Sequence, residues 1–143
     1  MSPDRSPERI TIRTRAHESA SEELAALPAG GNAFVVDSIP FLDTTVALGD
    51  IVACVEVEGR LHVDKVLLRG GNSTLRIHAP EVDVVSPLLN LGLRVEQGPA
   101  GLVAVALGPD APAHGLEEWL GGLVDQGLIR VAYGYQAQGG PAH

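Results

Sequence analysis

Cysteine is almost absent from this chain. One Cys in 143 residues excludes an intrachain disulfide framework and a CxxC-type zinc site. Positive charge is also scarce. Ten basic residues against eighteen acidic ones leave a formal net charge of −8, which argues against binding a phosphate backbone. Aromatics make up 3% of the chain. No apolar run reaches the roughly 18 residues of a membrane-spanning segment. The first nine residues, Met1 to Arg9, are charged and lead into no apolar h-region, so a secretory signal is not expected and a cytoplasmic location is. Phosphate-loop spacings, the nucleophile elbow GxSxG and the zinc motif HExxH are missing as well. No metal and no cofactor are expected.

What is present is an apolar fraction of 45%, enough to build a core. The length fits one domain. Residues 1–7 and 136–143, rich in Pro, Ser, Gly and Gln, read as disordered ends of a single α+β domain over 8–135.

Along the chain, Ile10–Arg15 alternates and reads as a strand. Ser19–Leu27 holds strong helix formers, and Ser19 with Glu22 has capping-box spacing, so a helix is expected there, stopped by Pro28. Ala33–Asp37 is a strand. Ile51–Val57, a turn at Glu58-Gly59-Arg60 and Leu61–Leu68 form a hairpin, with Cys54 as a small core residue. Gly70-Gly71-Asn72 reads as a second turn leading into the strand Ser73–His78. A helix face runs from Val82 to Leu91 and ends at Gly92. Pro87 either kinks it or stands first in a helix capped by Ser86. Strands follow at Leu93–Glu96 and Leu102–Leu107, then an amphipathic helix at Gly115–Gln126 with Leu116, Trp119, Leu120 and Leu123 on its core face, and a strand at Leu128–Tyr133. From Ser73 onward this order is that of the ferredoxin-like βαββαβ unit. The strands before it suggest a small barrel-like sheet.

Three stretches, Asp37-Ser38-Ile39-Pro40-Phe41, Val46–Val52 and Gly71-Asn72-Ser73-Thr74-Leu75-Arg76, resemble in order and spacing the bacterial "domain of unknown function 4265" family. The likeness covers roughly residues 18–135. It implies no chemistry. This chain departs from the family pattern at Leu42-Asp43-Thr44-Thr45, where relatives are aromatic-rich, and at Asn72, where they carry His.

Candidate site residues follow from hairpin arithmetic. If Gly70-Gly71-Asn72 is a three-residue loop, Leu61–Leu68 pairs with Ser73–His78 and Asp64 faces His78. His62, Asp64, Arg76 and His78 then share one polar face, the ingredients of general acid–base chemistry. A four-residue loop shifts the register by one and dissolves the cluster. Asp50, after Gly49, is a further carboxylate candidate, otherwise a turn residue. Arg76 is the first choice for gripping an anionic ligand, or else it pairs with Asp64 or Asp50. Ser73 and Thr74 offer hydroxyls. Lys65, the lone lysine, interrupts an apolar face. Asp37 and Asp43 flank Pro40 as a possible carboxylate pair beside Phe41.

The leading expectation is a non-catalytic protein that binds a small molecule or a peptide, the latter by strand addition at an open sheet edge. The same edges could build a homodimer. A small enzyme acting through the polar face is the second reading. An acidic inhibitor of a basic protein partner is the third. Nucleic acid and membrane are not expected as partners.

Overall fold

The computed structural model describes residues 8–17 and 20–137. The proposed disordered ends, 1–7 and most of 136–143, lie outside the described residues. Among the described residues the chain is mostly β-sheet with two α-helices, an α+β arrangement built as two layered units.

The first unit holds five strands: β1 (Ile10–His17), β2 (Ala20–Pro28), β3 (Ala33–Val36), β4 (Ile51–Val57) and β5 (Arg60–Leu68). Neighbours pair antiparallel in chain order. β5 then returns to β1 through a parallel pairing of Arg13 with His62, so the sheet closes on itself. Ile12, Leu24, Ala26, Phe34, Val36, Val52 and Cys54 fill its interior, with Val46 from the loop after β3. These positions fall on alternate residues of their strands, as the pleat requires.

The expected helix at Ser19–Leu27 is instead strand β2, with Ser19 outside the described residues. Its apolar residues also fit a period of two: Leu24 and Ala26 point inward and are buried, while Glu23 and Ala25 point away. Ladders to β1 on one side and β3 on the other override the helix propensity of the segment.

The second unit is a four-stranded antiparallel sheet in the order β7-β8-β6-β9, made of β6 (Ser73–His78), β7 (Arg94–Gln97), β8 (Leu102–Leu107) and β9 (Arg130–Tyr133). Helices α1 (Val85–Asn90) and α2 (Ala113–Asp125) cover one face. Leu75, Ile77, Val103, Val105 and Leu107 of the sheet meet Leu88 of α1 and Leu116 and Leu120 of α2 there.

Both helices end the same way. Gly92 and Gly127 take positive φ, Leu93 donates to Leu88 O, and Leu128 donates to Leu123 O. These are Schellman ends, which only a residue without Cβ adopts freely. The start of α1 is two residues earlier than a Ser86 cap allows: Val85 is the first helical residue, and Asp83 Oδ1 takes the Ser86 N–H at 3.1 Å. Pro87 is then third in the helix, where its missing N–H would have had no intrahelical partner.

The expected hairpin across Gly70-Gly71-Asn72 does not form. β5 pairs with β4 and β1, and β6 with β8 and β9, so the two strands belong to different sheets. The glycines form a hinge. A Cβ on Gly70 would lie 2.5 Å from Gly49 O, which explains why no larger residue stands there.

The outer face of the second sheet is covered by the segment between β3 and β4. Ile39, Phe41 and Leu48 pack on Ala104 and Ala106 of β8 in a small third core. This seam joins the two units.

Candidate functional site

The polar face expected around His62, Asp64, Arg76 and His78 is split between the two sheets. His62 is half-buried on β5, between Arg13 and Val55, and Asp64 is exposed on the same strand. His78 is on β6 between Leu102 and Arg130, with Nε2 3.1 Å from Ala100 O. Arg76 turns to the seam. Lys65 is exposed opposite Ala53 and does not face the core.

The other candidates gather at the seam, where most are tied to backbone. Asp50 is fully buried. Its Oδ2 accepts from Ala47 N at 2.9 Å and Arg69 Nη1 at 2.9 Å, and its Oδ1 accepts from Gly70 N at 2.8 Å. Arg69 also donates to Thr45 O and lies 4.0 Å over the ring centre of Tyr135. The carboxylate therefore closes its own turn and holds the hinge glycine against it.

Arg76 donates through Nη2 to Asp43 O at 2.6 Å and through Nη1 to Leu42 O at 3.3 Å. It makes no ion pair with Asp64 or Asp50. Burial lowers its pKa, and the charges of Glu22 and Asp43 oppose that shift. Its Nε is buried without a partner among the described residues, as is Thr14 Oγ1. Ser73 and Thr74 are buried too. Ser73 Oγ accepts from Ala137 N, and the Thr74 backbone bonds Gly134 and Tyr135.

Asp37 and Asp43 do not act as a pair. Asp37 takes Arg9 at 2.9 Å and Arg94 at 3.3 Å, while Asp43 Oδ1 accepts from Thr45 N and Oγ1. Phe41 is packed in the seam against Gly98. Burial raises the pKa of Cys54, consistent with an inert core thiol.

Glu22 is the seam residue that sequence reasoning missed. From β2 its carboxylate accepts the N–H groups of Phe41, Leu42 and Asp43 at 2.5, 3.1 and 3.0 Å. Glu96 does the same for Ile39 N at 3.1 Å, and Asn72 Nδ2 donates to Leu48 O at 2.8 Å. The strap 39–43 is thus held through its N–H groups by carboxylates and through its C=O groups by Arg76. Only the strand assignment of β2 would have revealed Glu22, since as a helix-capping residue its side chain points elsewhere.

A concave site lies on the opposite side of the second sheet, in the helix layer. Pro87, Asn90 and Leu91 of α1 and its end, with Pro112, Gly115, Leu116 and Trp119 of α2 and its start, line a cleft of about 490 Å3. Among the described lining side chains, Asn90 carries an amide and Trp119 an indole N–H, and none is ionisable. Leu89 and Leu91 are exposed at α1 beside it. Trp119 reads in sequence as core, and it does pack partly on the core, but it also forms one wall of the cleft. Helical spacing carries no signal for the second role. Among the described residues no group of three or more His, Cys, Asp and Glu could hold a metal ion. No described helix is long and apolar enough to cross a membrane.

With this geometry in hand, a family model described as "Domain of unknown function (DUF4265)" matches residues 22–131. A solved structure described as "Novel crystal structure of a hypothetical protein from Neisseria gonorrhoeae" is similar at a TM-score of 0.75 and 18% identity, covering 94% of this chain and 99% of that one. It shares the fold. Comparison with the curated proteins finds no match. The three stretches that carry the family likeness meet at the seam: Arg76 on the carbonyls after Phe41, Asn72 on Leu48, and Asp50 on the hinge before Gly71.

Proposed function

Since the chain belongs to the family described as a domain of unknown function (DUF4265), we propose that it is a non-catalytic binding protein whose ligand is a small, mostly apolar molecule seated between α1 and α2. The single observation that carries this reading is the composition of the cleft. Its volume of about 490 Å3 falls in the range of small-molecule sites, about 300–1,000 Å3. Its walls are Pro, Leu and one Trp, and Asn90 supplies one amide to orient a polar atom. Proton transfer needs a titratable group within hydrogen-bond reach of the substrate, and none of the described lining residues offers one. The acid–base alternative rested on a polar face that the two-sheet architecture separates.

The finer architecture belongs to the same reading. The return of β5 to β1 supports a small barrel for the first unit. The all-antiparallel order β7-β8-β6-β9, with both helices on one face, supports a ferredoxin-like second unit. A net charge of −8 and a free buried thiol support a cytoplasmic protein with no nucleic-acid partner.

The test uses Trp119, the one tryptophan of the chain, as its own reporter. Titration with the small apolar fluorophore 8-anilinonaphthalene-1-sulfonate is expected to show saturable, one-to-one energy transfer from Trp119. Gly115→Leu fills the cleft from a position where an added Cβ meets nothing within 4 Å, and replacing a helical glycine does not weaken α2. That variant is expected to lose at least about tenfold in probe affinity, on the order of 1.4 kcal/mol. Equal affinity in both proteins would overturn the assignment.

A further inference from the structure

The second sheet ends on β9, and the edge it leaves open has a self-complementary pattern. Gly134 N donates to Thr74 O of β6. Backbone groups alternate in direction along a strand, so those of Ala132 and Arg130 also face β6, and those of Val131 and Tyr133 face outward. Among the described residues no strand pairs on that side.

Val131 and Tyr133 stand opposite Ile77 and Leu75, on the face the helices cover. They nevertheless remain 37% and 40% exposed. Gly121 and Val124 stand three apart on α2 and Leu128 in the turn after it, with Val124 and Leu128 at 42% and 37% exposure. The other flank of α2, with Gly115 and Trp119, faces α1 across the cleft, and α1 packs beside β7 at the far end of the sheet, so the flank of Gly121 and Val124 is turned toward the β9 side. Val131–Tyr133 carries no Lys or Pro of the kind that protects open strands; the strand ends just beyond, at a bulge where Gly134 N and Tyr135 O both bond Thr74.

We propose that this face pairs with a second copy of the chain, β9 antiparallel to β9 across a two-fold axis through Ala132. A two-fold perpendicular to the sheet keeps each side chain on its own face, so only registers joining residues of like parity are allowed. The register centred on Ala132 sets Val131 against the partner copy's Tyr133 and the reverse. All four outward-facing residues of the two strands then exchange N–H and C=O groups, giving four hydrogen bonds. It also forms two aromatic–β-branched pairs, a favoured cross-strand combination. The same axis lays α2 antiparallel to its copy, with Gly121 permitting close approach and Val124 and Leu128 covered. A single extended peptide would satisfy the strand edge and leave that helix flank in water, and this favours a second copy over a foreign strand.

The four exposed side chains offer roughly 300 Å2 of apolar surface per copy, short of the about 800 Å2 per partner of a standard interface. The dimer is accordingly weak and forms only toward high protein concentration.

Sedimentation velocity of the full chain from about 5 to 500 μM tests the proposal. The mass is expected to rise toward twice the monomer's across that range. Ala132 is exposed and faces its own copy across the axis, so Ala132→Glu and Ala132→Lys should each remain monomeric at about 500 μM through like-charge repulsion. Mixed one to one, they should recover the dimer. Unchanged far-UV circular dichroism and melting show that the variants fold. A wild-type chain that stays monomeric throughout would leave the edge for a strand of another protein and overturn the proposal. A dimer that survives Ala132→Glu would place the interface elsewhere, and a mixture that does not recover would exclude this register.

Discussion

Asp50 shows how a residue that looks chemical from sequence becomes structural in three dimensions. A carboxylate after glycine in a β-rich chain is a reasonable candidate for catalysis, and its complete burial would strengthen that suspicion. Its bonds argue otherwise. Three donors converge on two oxygens, two of them backbone N–H groups that no solvent replaces. Asp50→Asn turns one acceptor into a donor facing donors. A loss of about 2–4 kcal/mol in urea-unfolding stability is expected, because buried polar groups left without partners carry their full desolvation cost. A change under about 0.5 kcal/mol would sink the structural role, because a carboxylate kept for chemistry is usually replaceable without loss of stability. Glu22 follows the same logic with three N–H groups on one carboxylate. At this scale the sequence is legible only in residue type: it offers Asp50, Arg76 and Glu22 as polar residues, and their partners lie far along the chain.

At the scale of elements, periodicity served well wherever one face was buried. β3, β4, β6, β8 and both helices fall close to where their apolar spacing places them, because each buries a stripe in its own core. β2 was misread because Glu22-Glu23-Leu24-Ala25-Ala26-Leu27 satisfies both periods. Two flanking ladders decide in favour of the strand, and neither ladder is written in the segment itself. The β5–β6 junction was misread for another reason. Gly70-Gly71-Asn72 has hairpin composition, but Gly70 serves a close approach to Gly49 that only the fold discloses, and Gly71 takes a positive φ. Gly70→Ala is therefore expected to cost about 1–3 kcal/mol, since its Cβ would meet Gly49 O at 2.5 Å. Gly121→Ala, with nothing within 4 Å, is expected to gain about 0.5–1 kcal/mol through helix propensity. Thermal melts of the two variants check both signs, and a neutral Gly70→Ala would remove the hinge argument.

At the scale of the molecule, the strap 39–43 is where two sheets become one protein. The closed sheet and the helix-covered sheet each have a core of their own, and the third core between them is small. Polar ties therefore carry much of the joint: Glu22 reaches from the first unit, Arg76 from the second, and both end on Leu42 and Asp43. If the two side chains hold one strap, loosening it from either side removes part of what the other secures. Glu22→Gln and Arg76→Met are each expected to cost about 1–3 kcal/mol. The double variant is expected to cost less than their sum, with a coupling on the order of 1 kcal/mol. Urea unfolding followed by Trp119 fluorescence reads the helix-covered unit, and far-UV circular dichroism reads both. The two probes should coincide in the parent chain and separate as the strap is released. Additivity within about 0.3–0.5 kcal/mol, with coincident probes in every variant, would mean that the small apolar core alone joins the sheets and that Glu22 and Arg76 serve some purpose other than the joint.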